Sequence, residues 1–146
     1  MTARLLAGCL LLCALVSTAR AQSSPSPGDP IAEKLFPPEL IMANQQELGI
    51  DDRQREAIVK EVQGLQARVV ELQWQMHAAV SELVKLLDAP KVDEAKTLAQ
   101  ADKVMGFERE VKRAHLALLV RIKNVLTEAQ RARLTELRRK GPGGSG

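Results

Sequence analysis

The sequence predicts an all-α protein: a long antiparallel helical hairpin flanked by two shorter helices. Apolar residues recur in alternating steps of four and three along two long segments, and a proline separates those segments. This spacing keeps the apolar side chains on one helical face. The 146 residues include one Trp, two Phe and no Tyr. Such a composition suits thin helix-on-helix packing by Leu, Val, Ile and Ala.

Residues 1–21 are predicted to be a secretory signal peptide. Arg4 precedes an apolar run at residues 5–16, and small residues lie around Ala21, where we expect cleavage. The run is too short to span a membrane as a helix, and export would place the mature chain in the periplasm. Cys9 follows Leu-Ala-Gly, as in a lipoprotein cleavage box. Cleavage there would leave most of the apolar run in the mature chain, so lipidation at Cys9 is disfavoured.

The composition of the mature chain excludes several classes of function. Both cysteines, Cys9 and Cys13, lie in the signal segment, so we expect no disulfide and no thiolate metal site. The chain has 21 Lys and Arg residues, and removing Arg4 and Arg20 leaves 19 against 18 Asp and Glu residues. A nearly neutral protein has no electrostatic basis for binding nucleic acid.

The domain is predicted at residues 36–140, after a flexible linker at residues 22–35. The linker is rich in Ser and Pro over residues 22–29, and a short turn is expected near residues 30–36. Pro37 and Pro38 then open a first helix. It is predicted to run to about Leu48, because Gly49 is typical of the position just past a helix end.

A second helix is predicted from Asp52 to about Leu87, and Pro90 prevents its continuation. Its apolar seam consists of Ile58, Val62, Leu65, Val69, Leu72, Met76, Ala79, Leu83 and Leu86.

Asp93 is predicted to cap a third helix over residues 94–125. The seam of this helix consists of Val104, Phe107, Val111, Ala114, Leu118 and Val125. A short connection between long helices makes them antiparallel, so we expect Leu65 near Leu118 and Ile58 near Val125. A last helix is predicted over residues 128–139, followed by a disordered tail at residues 141–146.

Two similar motifs mark the predicted starts of the second and last helices. Each has an apolar residue, a capping residue and, three positions later, a glutamine. The cap side chain accepts from the third helical N–H, and the glutamine reaches back to the N–H of the cap residue. The motif residues are Leu48, Ile50, Asp51 and Gln54 in the first copy, and Leu126, Thr127 and Gln130 in the second.

This doublet resembles the LTxxQ family of small periplasmic proteins, over about residues 36–139. The family includes the Spy and CpxP chaperones and the ZraP and CnrX metal-responsive proteins. The resemblance implies a homodimer of hairpins that binds unfolded envelope proteins without ATP. The alternative is a metal-responsive accessory protein that modulates a sensor kinase or sigma-factor system, with a membrane sensor's periplasmic domain as a partner.

A second apolar stripe lies off the seams of the two long helices. Its residues are candidates for a dimer or client surface: Val70, Trp74, Ala78, Leu116, Leu119 and Val120. The first and last helices of the same chain could instead cover Leu116, Leu119 and Val120. For Trp74 an interface is favoured over a monomer core, because the indole lies about half a turn from the seam.

No metal, cofactor or catalytic site is predicted. The two histidines, His77 and His115, lie about 17 Å apart along the predicted hairpin, so they cannot share an ion within one protomer. The three methionines after the signal segment are expected to fill the core. Without a Cys, a Gly-rich phosphate loop or a supported Ser/His/Asp arrangement, we expect no enzyme.

Overall fold

A computed structural model describes residues 30–140 of the chain. A 3-10 turn, Ala32–Lys34, precedes four helices: α1 (Pro38–Ala43), α2 (Asp52–Leu87), α3 (Glu94–Val125) and α4 (Glu128–Lys140). Residues 30–140 contain no strand, which confirms the all-α fold class. No helix in this range is long and apolar enough to cross a membrane. The predicted signal peptide with Cys9, residues 22–29 of the predicted linker and the predicted tail lie outside the described residues.

Helix α1 is shorter than predicted, because Asn44 interrupts it. The side-chain amide of Asn44 donates to the carbonyl of Leu40 at 2.7 Å. The backbone N–H of Asn44 bonds at 3.2 Å to the carbonyl of Ile41, three residues back. A side chain that takes the carbonyl of the preceding turn competes with helix propagation. The chain therefore leaves the α-helix after Ala43 and continues in turns.

The turn before α2 ends at Gly49, the position at which the sequence predicts the end of the first helix. Gly49 has a φ of 59°, which favours glycine because it has no Cβ. Its N–H bonds to the carbonyl of Gln46, and the N–H of Ile50 bonds to the carbonyl of Gln45, both at 3.1 Å. These two bonds form a Schellman motif, which reverses the chain into the start of α2.

Helices α2 and α3 begin where their caps predict and pack against each other. The Asp93 carboxylate accepts the N–H of Lys96 at 3.1 Å, and this hydrogen bond lowers the pKa of the Asp93 carboxyl group. The bond from Gln100 Nε2 to the carbonyl of Ala79 is 2.8 Å long. Nearer the other end of the pair, Arg121 donates to Glu61 at 3.0 Å. Residue numbers fall along α2 as they rise along α3, so the two helices run in opposite directions.

The hydrophobic core lies at the end of this pair where all four helices meet. Its buried members are Phe36, Ile41, Leu48, Ile58, Leu118, Ile122, Leu126 and Leu134. Val125 packs on this cluster with Ile58, and Leu65 lines the same cleft as Leu118, the pairings that the seams predict. Beyond this end, the buried apolar residues of the pair are Leu72 and Ala79. Within residues 30–140, the far part of the pair is therefore two helices thick.

Two cations hold the N-terminal turn against the last helices. Arg138 donates to the carbonyls of Ala32, Glu33 and Leu35, and its guanidinium lies 5.1 Å from the ring centroid of Phe36. Lys123 Nζ donates to the carbonyl of Lys34 at 2.9 Å. These bonds satisfy carbonyls at the end of a short 3-10 turn.

Ion pairs of Arg133 join the turn before α2 to α4. The guanidinium of Arg133 bonds to the carboxylates of Glu136 and Glu47, and these two hydrogen bonds raise the pKa of Arg133. All three side chains are partly exposed, so solvent screens both pairs and each stabilises the fold only weakly.

The glycines provide a stability test with opposite expected signs. Gly49→Ala should lower the free energy of unfolding by about 1 kcal/mol, because alanine is strained at positive φ. Gly64→Ala and Gly106→Ala should each raise it by about 0.5–1 kcal/mol, since an added Cβ meets no atom within 4 Å and glycine is costly inside a helix. Urea unfolding followed by circular dichroism measures all three. Equal effects at the three positions would contradict this account of the turn.

Candidate functional site

The first motif forms a capping box at the start of α2. The Asp51 carboxylate accepts the backbone N–H of Gln54 at 2.7 Å. The Gln54 side chain reaches back, and its Oε1 accepts the N–H of Asp51 at 3.2 Å. Two N–H groups without helical partners are thereby satisfied.

The second motif repeats this geometry at the start of α4. Thr127 Oγ1 accepts the N–H of Gln130 at 3.2 Å, and Gln130 Oε1 accepts the N–H of Thr127 at 2.9 Å. The flanking apolar residues lie in the core: Leu48 and Leu126 are buried, and Ile50 packs against the cluster while partly buried. The structure thus brings all seven motif residues to one end of the molecule.

The two glutamines bond to each other across the fold. Gln54 Nε2 donates to Gln130 Oε1 at 2.8 Å, and Gln130 Nε2 donates to Gln54 Oε1 at 3.0 Å. The second N–H of each amide finds a backbone carbonyl: Gln54 bonds to Val125 at 3.0 Å and Gln130 to Leu48 at 3.2 Å. Each amide has two donors and two acceptor sites, and all of them are used.

This pairing is the feature of the motif that the sequence analysis missed. The only signal for it was the same glutamine at the same place in both copies. Gln130 is 9% exposed, and no buried side-chain nitrogen or oxygen among residues 30–140 lacks a partner. A neutral and fully bonded amide pair has no free group with which to bind or transform a ligand. The paired motif therefore fastens helices together.

The apolar candidates on α2 lie in solvent. The exposed fraction is 74% for Trp74 and 53% for Val70, and Ala78 is also exposed. None of the described residues covers them. A contiguous exposed apolar surface of this kind is typical of an interaction site.

The apolar candidates on α3 are also open. Leu116 is 45% exposed and Val120 is 43% exposed, whereas Leu119 is half-buried. Helices α1 and α4 therefore leave Leu116 and Val120 uncovered. In the register of the helix pair, Leu116 lies opposite about residue 65, some 14 Å along the axis from Trp74. The structure does not unite the two sets of candidates into one patch.

An apolar groove between α1 and α2 is a further feature that the sequence analysis missed. It has a volume of about 280 Å³ and is lined by Ile41, Met42, Gln45, Ile50, Arg55, Ile58, Val59, Val62 and Gln63. The groove extends from α1 past Gln45 and Ile50 to the first turns of α2.

Metal ligands do not gather in the part of the chain that the structure describes. Residues 30–140 contain no group of three or more His, Cys, Asp or Glu side chains placed to hold an ion. His77 is exposed on α2 and His115 is exposed on α3. Met42 and Met105 are exposed as well, so the expectation that the methionines fill the core is wrong for these two, and Met76 is half-buried.

The family comparison agrees with the motif and the all-α fold. A family model described as heavy-metal resistance matches residues 4–133. The chain belongs to the heavy-metal resistance family. This family contains the Spy-, CpxP- and ZraP-like LTxxQ proteins, the resemblance that the doublet predicts. None of the curated proteins and none of the solved structures matches the chain.

The capping boxes should contribute to stability and not to activity. Asp51→Ala and Thr127→Ala should each lower the free energy of unfolding by about 1 kcal/mol. Gln54→Ala and Gln130→Ala should each cost about 2 kcal/mol, since each leaves the partner amide and a carbonyl unbonded. In urea unfolding, the double variant should cost less than the sum of the singles, by about 1 kcal/mol or more.

The matching measurement for these variants is the chaperone activity that the family resemblance implies, namely the ability to keep another protein soluble. Divided by the folded fraction of each variant, this activity should equal that of wild type. A glutamine variant with full stability and no activity would contradict the structural role and make the motif a binding site.

Proposed function

We propose that this protein is a periplasmic, ATP-independent chaperone that holds unfolded envelope proteins, and that it is not an enzyme. The observation that carries the proposal is the row of exposed apolar side chains on α2, with Trp74 74% exposed at its edge. The predicted signal peptide and the membership in a family that contains Spy- and CpxP-like proteins support it.

The exposed indole is costly for a protein that has no partner. At about 25 cal/mol per Å², an aromatic side chain that buries 150 Å² or more gains several kcal/mol. The chain has few aromatic residues, and its two phenylalanines lie buried or half-buried. Placing the only Trp in water therefore favours a role in contact with another polypeptide.

We also propose that the protein acts as a homodimer, through an interface that includes Leu116 and Val120. These two side chains lie one turn apart on α3, and no other part of residues 30–140 covers them. Their separation from Trp74 leaves the apolar side chains of α2 free for clients in the dimer.

Substitutions on α2 test the client surface. Trp74→Ala and Val70→Asp should reduce the suppression of aggregation severalfold, measured by light scattering of a thermally unfolding enzyme, because they remove apolar contact area. The melting temperature should stay within about 2 °C of wild type, since both side chains are exposed. Val92→Asp is the matched control, because Val92 is 45% exposed in the α2–α3 connection.

The oligomeric state of the variants shows whether a client or a second copy of the chain contacts the exposed side chains of α2. Analytical ultracentrifugation should show Trp74→Ala and Val70→Asp as dimers, whereas Leu116→Asp with Val120→Asp should give monomers. If the α2 variants become monomers, and the indole fluorescence of wild type shifts to the red on dilution, a second copy covers α2. If all the variants remain dimers and still suppress aggregation, the chaperone proposal loses its residue-level support.

The second candidate is a metal-responsive accessory protein that acts on a membrane sensor's periplasmic domain. The description of the matched family as heavy-metal resistance favours it. Under this alternative, zinc or copper should change the light-scattering result or the oligomeric state, and His77→Ala with His115→Ala should abolish that change. Under the chaperone proposal, suppression of aggregation should be the same with zinc, with copper and with a chelator.

A further inference from the structure

Between residues 59 and 87, the charged residues of α2 are confined to one side of the helix. When the residues are placed 100° apart, they all fall within an arc of about 120°. They are Lys60, Glu61, Arg68, Glu71, Glu82 and Lys85. Three of the ion pairs of the structure lie there: Glu61 with Arg121, Arg68 with Glu71 and Lys85 with Glu82.

The opposite side of α2 carries no Asp, Glu, Lys or Arg over the same length. We call it the neutral flank; its residues are Val59, Gln63, Gln66, Val70, Gln73, His77, Val80, Ser81, Val84 and Leu87. Two surface depressions lie on either side of this part of α2. Glu61, Gly64 and Arg68 line the one beside α3. The one beside α1 is lined by Val59, Val62 and Gln63, and Arg55 lines it before the start of the flank.

The neutral flank is open to solvent along its length. Its exposed apolar members are Val59, Val70, Val80, Val84 and Leu87, and Trp74 borders it. The glutamines between them are exposed as well. Helix α3 has no neutral face of comparable length, because charged residues surround it outside its seam before Ala114, as at Glu108, Arg109 and Lys112. Of the two long helices, α2 is therefore the one with a neutral flank.

We infer that the neutral flank is the surface that holds clients, and that it selects extended polypeptide segments without charged side chains. This inference rests on the proposed chaperone function and adds the place and the chemical class of the client. Valine, leucine and the indole supply apolar contact area. The glutamine amides donate to and accept from an extended backbone. A client charge laid on the flank would lose hydration without meeting an opposite charge.

The dimensions of the flank fit one extended segment better than a second copy of the chain. From residue 59 to residue 87 it is about 42 Å long, which matches roughly 13 residues of extended chain. At a helix diameter of about 10 Å, its area is about 400 Å². A stable protein interface needs about 800 Å² on each partner.

Substitutions that place a charge on the neutral flank of the mature chain test the inference. Gln66→Glu with Gln73→Glu, and Gln66→Lys with Gln73→Lys, should both weaken the binding of a labelled 13-residue peptide of Val, Thr, Gln and Ser by roughly tenfold. Both signs of charge should act in the same direction, because the cost is desolvation. Gln75→Glu and Gln75→Lys are the matched controls, since Gln75 is exposed beside Glu71 on the charged side, and they should leave binding unchanged.

The salt dependence of binding and the charge of the peptide distinguish a cost of desolvation from an attraction between charges. Wild-type affinity should be nearly the same at 50 and 500 mM NaCl, and a peptide with Lys or Glu at its centre should bind about tenfold more weakly. Opposite effects of the Glu and Lys variants, or no effect of either, would overturn the inference. So would conversion of a dimer to monomers by these variants, because a second copy would then cover the flank.

The proposed function can fail separately from this inference. If wild type does not suppress aggregation, the chaperone proposal fails. If wild type suppresses aggregation and the flank variants do so equally well, the neutral flank is not the client surface.

Discussion

The hydrogen-bonded pair of Gln54 and Gln130 is the contact on which the arrangement of the helices depends. It joins the starts of α2 and α4 directly, at 2.8 and 3.0 Å. Through the carbonyls of Leu48 and Val125 it also holds the turn before α2 and the end of α3. Four segments of the chain thus meet at two side chains beside the main hydrophobic cluster. Because every polar atom of the pair is bonded, separating α2 from α4 would cost several hydrogen bonds at once.

This fastening concentrates the packing at one end of the molecule. The helices α1 and α4 and the N-terminal turn all contact that end, where Arg138 and Lys123 bind the carbonyls of the turn. Within residues 30–140, the other end of the α2–α3 pair is held by the seam between two helices and by the bond from Gln100 to the carbonyl of Ala79. A two-helix layer buries one stripe of each helix and leaves the rest in solvent. The exposure of Val70 and Trp74 therefore follows from the architecture, and their apolar character requires a separate reason.

The sequence predicts the long helices well because their boundaries depend on local chemistry. Asp51, Asp93 and Thr127 cap helices, and Pro90 ends one. The end of α1 was wrong, since a bond from the Asn44 side chain competes with a backbone bond and the residue type alone does not decide the winner. The glutamine pair was missed because it is a tertiary contact. The predicted register brought Ile58 near Val125, but the path of α4 after Leu126 depends on burying Leu134 in the core, which a motif cannot specify.

The distribution of charge on the two long helices differs in a way that folding does not require. Both helices need one apolar seam, and solubility is served by charges on all the remaining sides, as α3 has them. Between residues 59 and 87 of α2 the charged residues occupy one side, where Glu61 and Arg121 bridge the helices, while the flank that bears Val70 and Gln73 stays neutral. Exposed valines without nearby charges lower solubility and add nothing to the seam. An exposed apolar surface of this kind fits contact with another polypeptide, and under the proposed function that polypeptide is the client.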